Sequence, residues 1–581
     1  MSFTLPFQVD PGTVAMALDR ARKVKLTMPW FAHTSAFAPQ PHTVIHPLIN
    51  GERAFAAVEE ALAAATQSID IISWGFDPSM CLTRPGGRRL GDILHAKAKA
   101  GVRIRVLIWK DLIAQFFENN MPGNGLLGRG GGSAGLGSGI GSTSAGATGS
   151  AGKDEYNDYG GGSRPSNSGA LERGDDEMRA YNRNWYKTFV NNLVLRTRSI
   201  GFIEGSGLGR DFRRRYGIKP AQAAGLSIFP SHHQKMILTD YALPDRATGF
   251  VMGHNLLRNY WDTDDHPVES SLRDGFKPWH DLSTRVYGPI LNDLKQTFED
   301  AWEKAETLWN ASQWIAEPPA AKPLAAEVFA KPALTRGKGE MAQICRTLGT
   351  EERSIRDLYY LTLADARVYV YFENQYFRYK PLAMHLRAIR RALKGAGWPR
   401  DFYVFVVTNV PDGHGRVNTY EMLQALGKST AMPHFHKKNA KGDEDKLVKA
   451  DLDGVHIHVC SLATSGKTEQ GMQYRPIYVH SKLMLIDDVF FTVGSANVNV
   501  RSMEVDTELN IACTSPTLTK EWREKLWKLH TSRMPTGNMA AEFRAWDKIM
   551  KDNTDRKERK LPLVAPLIEF FDDASTGGRA D

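Results

Sequence analysis

The sequence predicts a mixed α/β protein in which one folding unit occurs twice, with the active site between the two copies on a pseudo-twofold axis. Two observations support this prediction. Each half of the chain alternates helical and strand-like segments in the same order, which is typical of a sheet covered by helices. A ten-residue pattern with His, Lys and Asp at fixed spacing also occurs once in each half, at 231–240 and at 478–487.

The first unit is predicted to span 46–315, after an N-terminal extension (1–45) that has a short helical pattern at 14–24. Apolar periodicity predicts the following elements in order: a helix at 51–66, a strand at 69–74, a helix at 90–100, a strand at 102–109, and helices at 178–193 and 290–308.

A tract rich in glycine and serine interrupts this unit at 122–175. Such a tract buries too little apolar area to offset the roughly 1–2 kcal/mol of entropy that each ordered backbone residue loses, so it is predicted to be a flexible surface insertion. A phosphate-binding glycine loop is the alternative, but no lysine–serine pair follows the tract.

A segment rich in proline and alanine (316–335) is predicted to link the first unit to a second one at 336–550, followed by a C-terminal tail (551–581). The second unit repeats the first, with predicted helices at 353–364, 381–396 and 518–529 and strands at 368–372, 402–409, 455–460 and 478–486. Equating Ile71 with Val370 gives an offset of 299, and equating His233 with His480 gives 247. The difference of 52 residues is close to the length of the glycine-rich tract.

Composition is ordinary for a globular protein of 581 residues, with 42% hydrophobic and 24% charged residues. The net charge of +9 favours an anionic partner, either a membrane surface or a nucleic acid. The four cysteines are scattered and predict no disulfide framework. The N-terminus lacks the apolar core of a secretory signal peptide, so we expect synthesis in the cytoplasm as a soluble chain.

The repeated pattern places a histidine and a lysine two residues apart on a predicted strand, so that their side chains share one face. These pairs are His233 with Lys235 and His480 with Lys482. The aspartates of the pattern, Asp240 and Asp487, lie an odd number of positions from the histidines and are more consistent with a turn than with substrate contact.

A phosphodiester between the two copies would meet two lysines that hold its charge and two histidines placed for displacement. One histidine must be neutral to attack phosphorus, and the other must be protonated to donate to the leaving oxygen. An unperturbed histidine pKa of ~6.5 makes both states accessible.

Two such motifs, each followed by an asparagine (Asn255 and Asn497), resemble the HKD motifs of the phospholipase D superfamily. Three further segments resemble elements of its lipid-cleaving members: ENQYF at 373–377, PWHD at 278–281 and YWDT at 260–263. The resemblance implies two duplicated phospholipase D-like α/β/α sandwich domains with the active site at their interface.

The resemblance also implies roles for the residues. His233 would be the nucleophile and His480 the general acid and then base. The phosphoryl oxygens would be bound by Lys235, Lys482, Asn255, Asn497 and Ser495, and Asp240 and Asp487 are counted with the catalytic set as members of the motif.

Two carboxylates, Asp281 and Glu508, each lie eight residues before a proline and match as groups that orient the histidines; Glu508 is expected to support the second hairpin. No cofactor and no metal are expected. The pairs His434 with His436 and His456 with His458 have ligand-like spacing, but no cysteine or carboxylate cluster completes a set.

These observations predict a phospholipase D that cleaves membrane glycerophospholipid to phosphatidate, and the chain looks most like type VI secretion effectors. That resemblance implies a monomer, an immunity protein and a component of the secretion apparatus as partners. A nuclease that binds nucleic acid, a phosphatidyltransferase and a non-catalytic binding protein are the alternatives. The lysine-rich loop at 437–449 is either solvated or in contact with anionic lipid.

Overall fold

The computed structural model describes residues 30–110, 168–200, 230–274, 277–307, 323–411, 413, 415–435 and 454–577, without the side chains of 168–176 and 307. Four predicted features lie outside the described residues, wholly or for the most part: the helix at 14–24, the 122–175 insertion, the start of the 316–335 linker and the loop at 437–449.

The first half contains nine strands and five helices within the described ranges. The strands are β1 (Gln40–Ile49), β2 (Ser68–Ser73), β3 (Arg103–Trp109), β4 (Leu193–Arg198), β5 (Met236–Thr239), β6 (Thr248–Met252), β7 (Trp279–His280), β8 (Leu282–Tyr287) and β9 (Glu306–Thr307). The helices are α1 (Asn50–Ala64), α2 (Leu90–Lys99), α3 (Ser168–Lys187), α4 (Ile290–Glu303) and α5 (Ala326–Leu334), with a 3₁₀ turn at Arg258–Tyr260.

The second half follows the same plan. Its strands are β10 (Glu340–Leu348), β11 (Tyr369–Asn374), β12 (Phe402–Val407), β13 (Val455–Thr468), β14 (Gly471–Val479), β15 (Lys482–Ile486), β16 (Phe490–Gly494), β17 (Thr507–Thr514) and β18 (Leu567–Glu569). Its helices are α6 (Ser354–Asp365), α7 (Lys380–Gly395), α8 (Arg416–Ala425), α9 (Pro516–Thr531) and α10 (Met539–Glu558), with a 3₁₀ turn at Ser429–Ala431 and a π-helical turn at Arg501–Val505.

Strand order is the same in the two halves. In the first half it runs β4-β3-β2-β5-β6-β8-β1, with β4, β3 and β2 parallel and the later pairs antiparallel. In the second half it runs β13-β12-β11-β15-β16-β17-β10, with the same change from parallel to antiparallel pairing. Strands β1 and β10 pair antiparallel and join the two sheets. The predicted α/β class and its duplication are therefore confirmed.

Helices cover both faces of each sheet, because successive residues of a buried strand point to opposite faces. In β11, Val370 packs in a core with α6, α7 and α8, whereas Tyr371 packs in another core with α9 and α10. In the first half α1, α2 and α3 cover one face. Helix α4 lies in the same core as α9 and α10, so one apolar core is shared between the halves.

The equivalence of Ile71 with Val370 is wrong by two residues. Ile71 pairs with Ile237, and Phe372 pairs with Met484. Since 484 − 237 = 247, the offset of the motifs, Ile71 corresponds to Phe372 and the offset between these strands is 372 − 71 = 301. Both strands are apolar throughout, so hydrophobicity alone did not fix the register.

The predicted continuous strand at 478–486 is also wrong, because β14 ends at Val479 and β15 begins at Lys482. Strand β14 pairs with β13 and β7, whereas β15 pairs with β11 and β16. The chain therefore changes its pairing partners at His480 and Ser481, and His233 similarly lies before β5. The motif histidines occupy breaks between strands.

The predicted domain boundaries fall inside folded elements. Strand β1 begins within the extension at 1–45, α5 forms within the linker, and α10 and β18 occupy part of the tail at 551–581. Within the tail, Asn553 of α10 and Leu567 of β18 are fully buried and β18 pairs with β13, so this segment belongs to the second half. Among the described helices, none has the length and apolar character needed to cross a bilayer.

Candidate active site

Each motif histidine is held against the opposite half by one short run of backbone pairing. His232 forms a parallel bridge with Thr507, and the His233 N–H donates to the Thr507 oxygen at 2.9 Å. In the other copy β14 pairs parallel with β7, and the His480 N–H donates to the His280 oxygen at 2.7 Å. The two histidines are thus fixed at the interface by related contacts.

Each histidine is hydrogen-bonded to a carboxylate from the other half. Nδ1 of His233 lies 2.9 Å from both carboxylate oxygens of Glu508, and Nδ1 of His480 lies 2.7 Å from Oδ2 of Asp281. Glu508 was expected to support the second hairpin, and it does accept from Ser495 and Ser502 of that segment. The ladder at 506–508 also brings it to the histidine of the first motif, His233. On both rings Nδ1 is therefore engaged by a carboxylate of the opposite half.

The two carboxylates are fully buried but differ in protonation. Burial would raise the pKa of Asp281, but the charges of His254, His480 and Lys482 outweigh it and hold this pKa well below its usual range. Burial raises the pKa of Glu508 to about 7, against the opposing effect of Lys235 and Lys482. Asp281 is therefore an anion at neutral pH, whereas Glu508 is poised between its two forms.

The residues opposite these carboxylates also differ. The hydroxyl of Ser495 donates to Glu508 and accepts from the Leu509 N–H, and it is fully buried. The structurally equivalent residue is Gly253, where an added Cβ would lie 2.4 Å from Oδ1 of Asp281. The assignment of Ser495 to substrate binding is therefore corrected, because both of its hydrogen-bonding functions are used within the protein.

Both motif lysines are buried beside this centre, and both influence the pKa of Glu508. Nζ of Lys235 donates to the His233 oxygen at 3.1 Å. Nζ of Lys482 donates to the His480 oxygen and, at 2.9 Å, to Oε1 of Gln375. Gln375 lies in the ENQ segment, and no role for it was predicted from the sequence.

The two predicted asparagines have different surroundings. Nδ2 of Asn497 donates to Gln375 at 3.2 Å, and its Oδ1 has no partner among the described residues. The amide of Asn255 is engaged at both ends, accepting from the Gly75 N–H at 3.3 Å and donating to the hydroxyl of Tyr260 at 2.7 Å. Asn255 therefore positions Tyr260, whose oxygen lies 3.3 Å from Nε2 of His480.

Asp240 and Asp487 do not contact the histidines, which corrects their grouping with the catalytic set. Each follows its β-strand at the end remote from the motif histidine, in the left-handed region (φ 49° and 52°). The Asp487 carboxylate accepts from the N–H groups of 367–369, and the Asp240 carboxylate from those of 66–68. They tie the hairpin turn to the start of the neighbouring strand, as the odd spacing suggested.

Behind the His480–Asp281 pair lies a buried cluster that sequence reasoning missed. Nε2 of His280 lies 2.8 Å from one oxygen of Glu373, and Nε2 of His530 lies 2.7 Å from the other, which also accepts from the Tyr371 hydroxyl. The PWHD and ENQ segments contain two of these residues, but nothing in the sequence related them to His530 on α9.

The ligand atoms of His280, Glu373 and His530 lie within 4.8 Å of one another, a spacing that a metal ion could bridge. Each imidazole is, however, at hydrogen-bond distance from its own carboxylate oxygen. Burial would lower the pKa of His280, but Glu373 outweighs it and raises this pKa. Glu373 therefore pairs with both imidazoles through their Nε2 atoms, while Nδ1 of His280 is buried with no hydrogen-bond partner among the described residues.

The histidine pairs with ligand-like spacing are engaged elsewhere. Nε2 of His434 lies 3.0 Å from Asp573, and Nε2 of His456 lies 3.3 Å from Asp401. Nε2 of His458 bonds to the Phe543 oxygen at 2.9 Å, and residue 436 lies outside the described ranges. The described members of these pairs therefore bind different partners.

Comparison with known proteins identifies similar chains. A family model described as "Cardiolipin synthase, PLD-like domain" matches residues 431–530. Phospholipase D alpha 1 of Oryza sativa subsp. japonica is 23% identical over 86% of this chain and 65% of its own length. Phospholipase D2 of Bos taurus is 25% identical over 82% of this chain and 50% of its own length. The chain thus spans between half and two thirds of these relatives.

Two solved structures are also similar in part. Phosphatidylserine synthase of Haemophilus influenzae Rd KW20 aligns with 90% of this chain and 97% of its own, at 9% identity and a TM-score of 0.42. NucT from Helicobacter pylori aligns with 32% of this chain and 95% of its own, at 16% identity and a TM-score of 0.21.

The second HKD motif lies inside the family match, and the relatives that are named phospholipase D extend over most of the chain, including the first motif. Within the fold, the two motifs meet at one interface through reciprocal histidine–carboxylate pairs. The family match and the named relatives together support membership of the phospholipase D superfamily.

Proposed function

We propose that the chain is a phospholipase D that hydrolyses the head-group phosphodiester of glycerophospholipids to phosphatidate through a phosphohistidine. The observation that carries this proposal is the reciprocal pair of contacts, His233 with Glu508 and His480 with Asp281, beside two buried lysines. Two oriented imidazoles and two cations supply a nucleophile, a proton donor and charge stabilisation for a phosphodiester.

In the first step Nε2 of one histidine attacks phosphorus and forms an N–P bond. The bond from phosphorus to the head-group oxygen breaks, its electron pair stays on that oxygen, and the oxygen takes the proton from Nε2 of the other histidine. In the second step a water oxygen attacks phosphorus while its proton passes to the second histidine. The N–P bond then breaks, which releases phosphatidate and regenerates the free imidazole of the nucleophile.

The difference between the carboxylates supports His233 as the nucleophile and His480 as the acid. A general acid needs a fixed orientation toward the leaving oxygen, and the anionic Asp281 holds His480 through its Nδ1 at 2.7 Å. A nucleophile must be neutral, and Glu508, whose pKa is raised to about 7 by burial, gives His233 weaker support as a cation. The same assignment follows from the superfamily resemblance.

A glycerophospholipid is the proposed substrate because relatives named phospholipase D align with most of this chain. The alpha 1 proteins of rice and of Cynara cardunculus cover 86% and 79% of it. The ENQ and PWHD segments, which resemble those of lipid-cleaving members, also place Gln375 against Lys482 and Asp281 against His480. A nuclease with the same chemistry is the second candidate, supported by the net charge of +9.

The test is a substrate comparison with chelator present. Purified protein should convert phosphatidylcholine or phosphatidylethanolamine vesicles to phosphatidate and, with a primary alcohol added, should also form the phosphatidyl-alcohol. His233→Ala should lose both products. Cleavage of plasmid DNA by the wild type and not by His233→Ala, without either lipid product, would replace the lipid proposal with the nuclease.

We further propose that this phospholipase is an antibacterial effector of a type VI secretion system, made in the cytoplasm as a monomer and blocked at home by an immunity protein. The support is the resemblance of the motif set to such effectors, and a site completed within one chain needs no second copy. Directed to the periplasm of a recipient bacterium, the wild type should arrest growth and His233→Ala should not. Equal growth of both strains would contradict the effector proposal.

A further inference from the structure

We propose that Tyr260 is a catalytic residue whose hydroxyl, hydrogen-bonded to Nε2 of His480, fixes this histidine in proton transfer and withholds it from nucleophilic attack. The inference rests on the proposed phosphodiester cleavage and assigns a role to a residue that lies outside both HKD motifs.

The position of Tyr260 is fixed on several sides. Its side chain is fully buried, and its hydroxyl oxygen lies 3.3 Å from Nε2 of His480. The phenol ring meets the imidazole edge to face, with centroids 4.8 Å apart at 78°, and packs against Trp279 at 4.5 Å. The amide of Asn255 donates to the same oxygen at 2.7 Å. Tyr260 therefore has little freedom to turn its hydroxyl away from the histidine.

The Tyr260 hydroxyl can hydrogen-bond to Nε2 of His480 whether that imidazole is neutral or protonated. Asn255 donates to the phenol oxygen, and the hydroxyl lies 3.3 Å from Nε2 of His480, to which it can donate its proton when that ring is neutral. When His480 is an imidazolium, its Nε2–H can point to the remaining lone pair of the phenol oxygen or to the leaving oxygen of the substrate. Nε2 of His480 can therefore gain or lose a proton and keep its hydrogen bond with the Tyr260 hydroxyl.

The same contact opposes nucleophilic attack by His480. A nucleophile must direct the lone pair of Nε2 at phosphorus, and in the neutral state that lone pair accepts from the phenol. The pseudo-twofold symmetry is broken here, because five residues after Asn497 the chain has Ser502 where Tyr260 follows Asn255. The hydroxyl of Ser502 donates to Glu508. The His233 ring meets Trp74 edge to face, with centroids 6.1 Å apart.

A residue that serves proton donation matters in proportion to how much the leaving group needs a proton. Choline or ethanolamine leaves as an alkoxide and requires one, whereas p-nitrophenolate leaves without it. Tyr260→Phe should therefore slow the release of choline from phosphatidylcholine by about 10- to 100-fold, but slow p-nitrophenol release from phosphatidyl-p-nitrophenol by less than about threefold.

Two variants calibrate this comparison. His233→Ala should abolish cleavage of both substrates, since the nucleophile is needed for each. Tyr186→Phe removes another buried phenolic hydrogen bond, to the Phe76 oxygen at 3.1 Å, and should change neither rate. An equal loss on both substrates in Tyr260→Phe would mean a merely structural role and would overturn the inference.

A readout without turnover separates this inference from the proposed function. In protein labelled with ¹⁵N-histidine, the Nε2 resonance of neutral His480, assigned by its loss in His480→Gln, should move downfield in Tyr260→Phe, toward an acceptor nitrogen with no donor. An unchanged resonance would show that the contact does not exist. If the wild type cleaves no lipid but the resonance moves, the lipid proposal fails and the Tyr260 contact stands.

Discussion

Asp281 and Glu508 occupy equivalent positions in the two halves, but their contributions to folding stability should change with pH in opposite directions. The pKa of Asp281 is depressed, so its ionisation contributes stability above the unfolded value of about 4, and this contribution is lost only as pH falls below that. The pKa of Glu508 is raised to about 7, so its protonation contributes stability that is full below about 4.5 and is lost as pH rises through 7.

Replacing each carboxylate by its amide tests this difference. We expect Asp281→Asn to lower the unfolding temperature throughout pH 5–8, because a buried anion that balances His480 and Lys482 is lost. Glu508→Gln should gain relative to the wild type between pH 5 and 8 and should be the more stable protein at pH 8. Thermal unfolding of the three proteins across this range measures the effect. Parallel losses in both variants at every pH would contradict it.

Sequence spacing singled out the motif histidines and lysines and both carboxylates that the structure brings together, because HKD motifs and prolines repeat locally. It could not assign Glu508 to His233, since the contact joins residues 275 positions apart and depends on which segments face each other. Tyr260 was noted only as part of YWDT, and its contact with His480 spans 220 positions. Local patterns therefore predicted which residues meet at the candidate site, while tertiary pairing decided their partners.

Asp487 links the turn after β15 to the start of the neighbouring strand β11. Its carboxylate accepts three backbone N–H groups at 2.7–2.9 Å. Asp487→Ala should therefore cost about 2–4 kcal/mol in urea unfolding, because three donors lose their acceptor and alanine tolerates the left-handed backbone poorly. Asp487→Asn retains an acceptor and should lose less.

The rate per folded molecule separates this role from a catalytic one. Asp487 lies at the end of β15 remote from His480, so the alanine variant assayed well below its unfolding transition should turn over substrate like the wild type. A loss of turnover with unchanged stability would return Asp487 to the catalytic set.

Helix α9 is tied to the site by Glu373. Glu373→Leu would leave His280 and His530 buried without the carboxylate between them, and we expect a loss of about 3–5 kcal/mol in urea unfolding. Tyr371→Phe removes one donor to Glu373 but keeps both imidazoles paired, and it should cost about 1 kcal/mol. Hydrogen exchange should rise in 516–531 in the first variant only. Unchanged exchange there would mean that apolar packing alone holds the helix.

The whole molecule should unfold as one unit despite its duplication. The halves share an apolar core and a β1–β10 pairing, and each motif histidine is held by the opposite half. Calorimetry should therefore give a single transition whose calorimetric and van't Hoff enthalpies agree, with loss of activity at the same temperature. Two separated transitions would show that the halves are independently stable.

The exchange of carboxylates between the halves constrains how the duplicated sequence can evolve. Replacing His233 would leave Glu508 buried without its imidazole, and replacing His480 would do the same to Asp281, so each substitution is felt in the other repeat. A compensating change is therefore expected at position 508 or 281, and the two repeats are expected to change together.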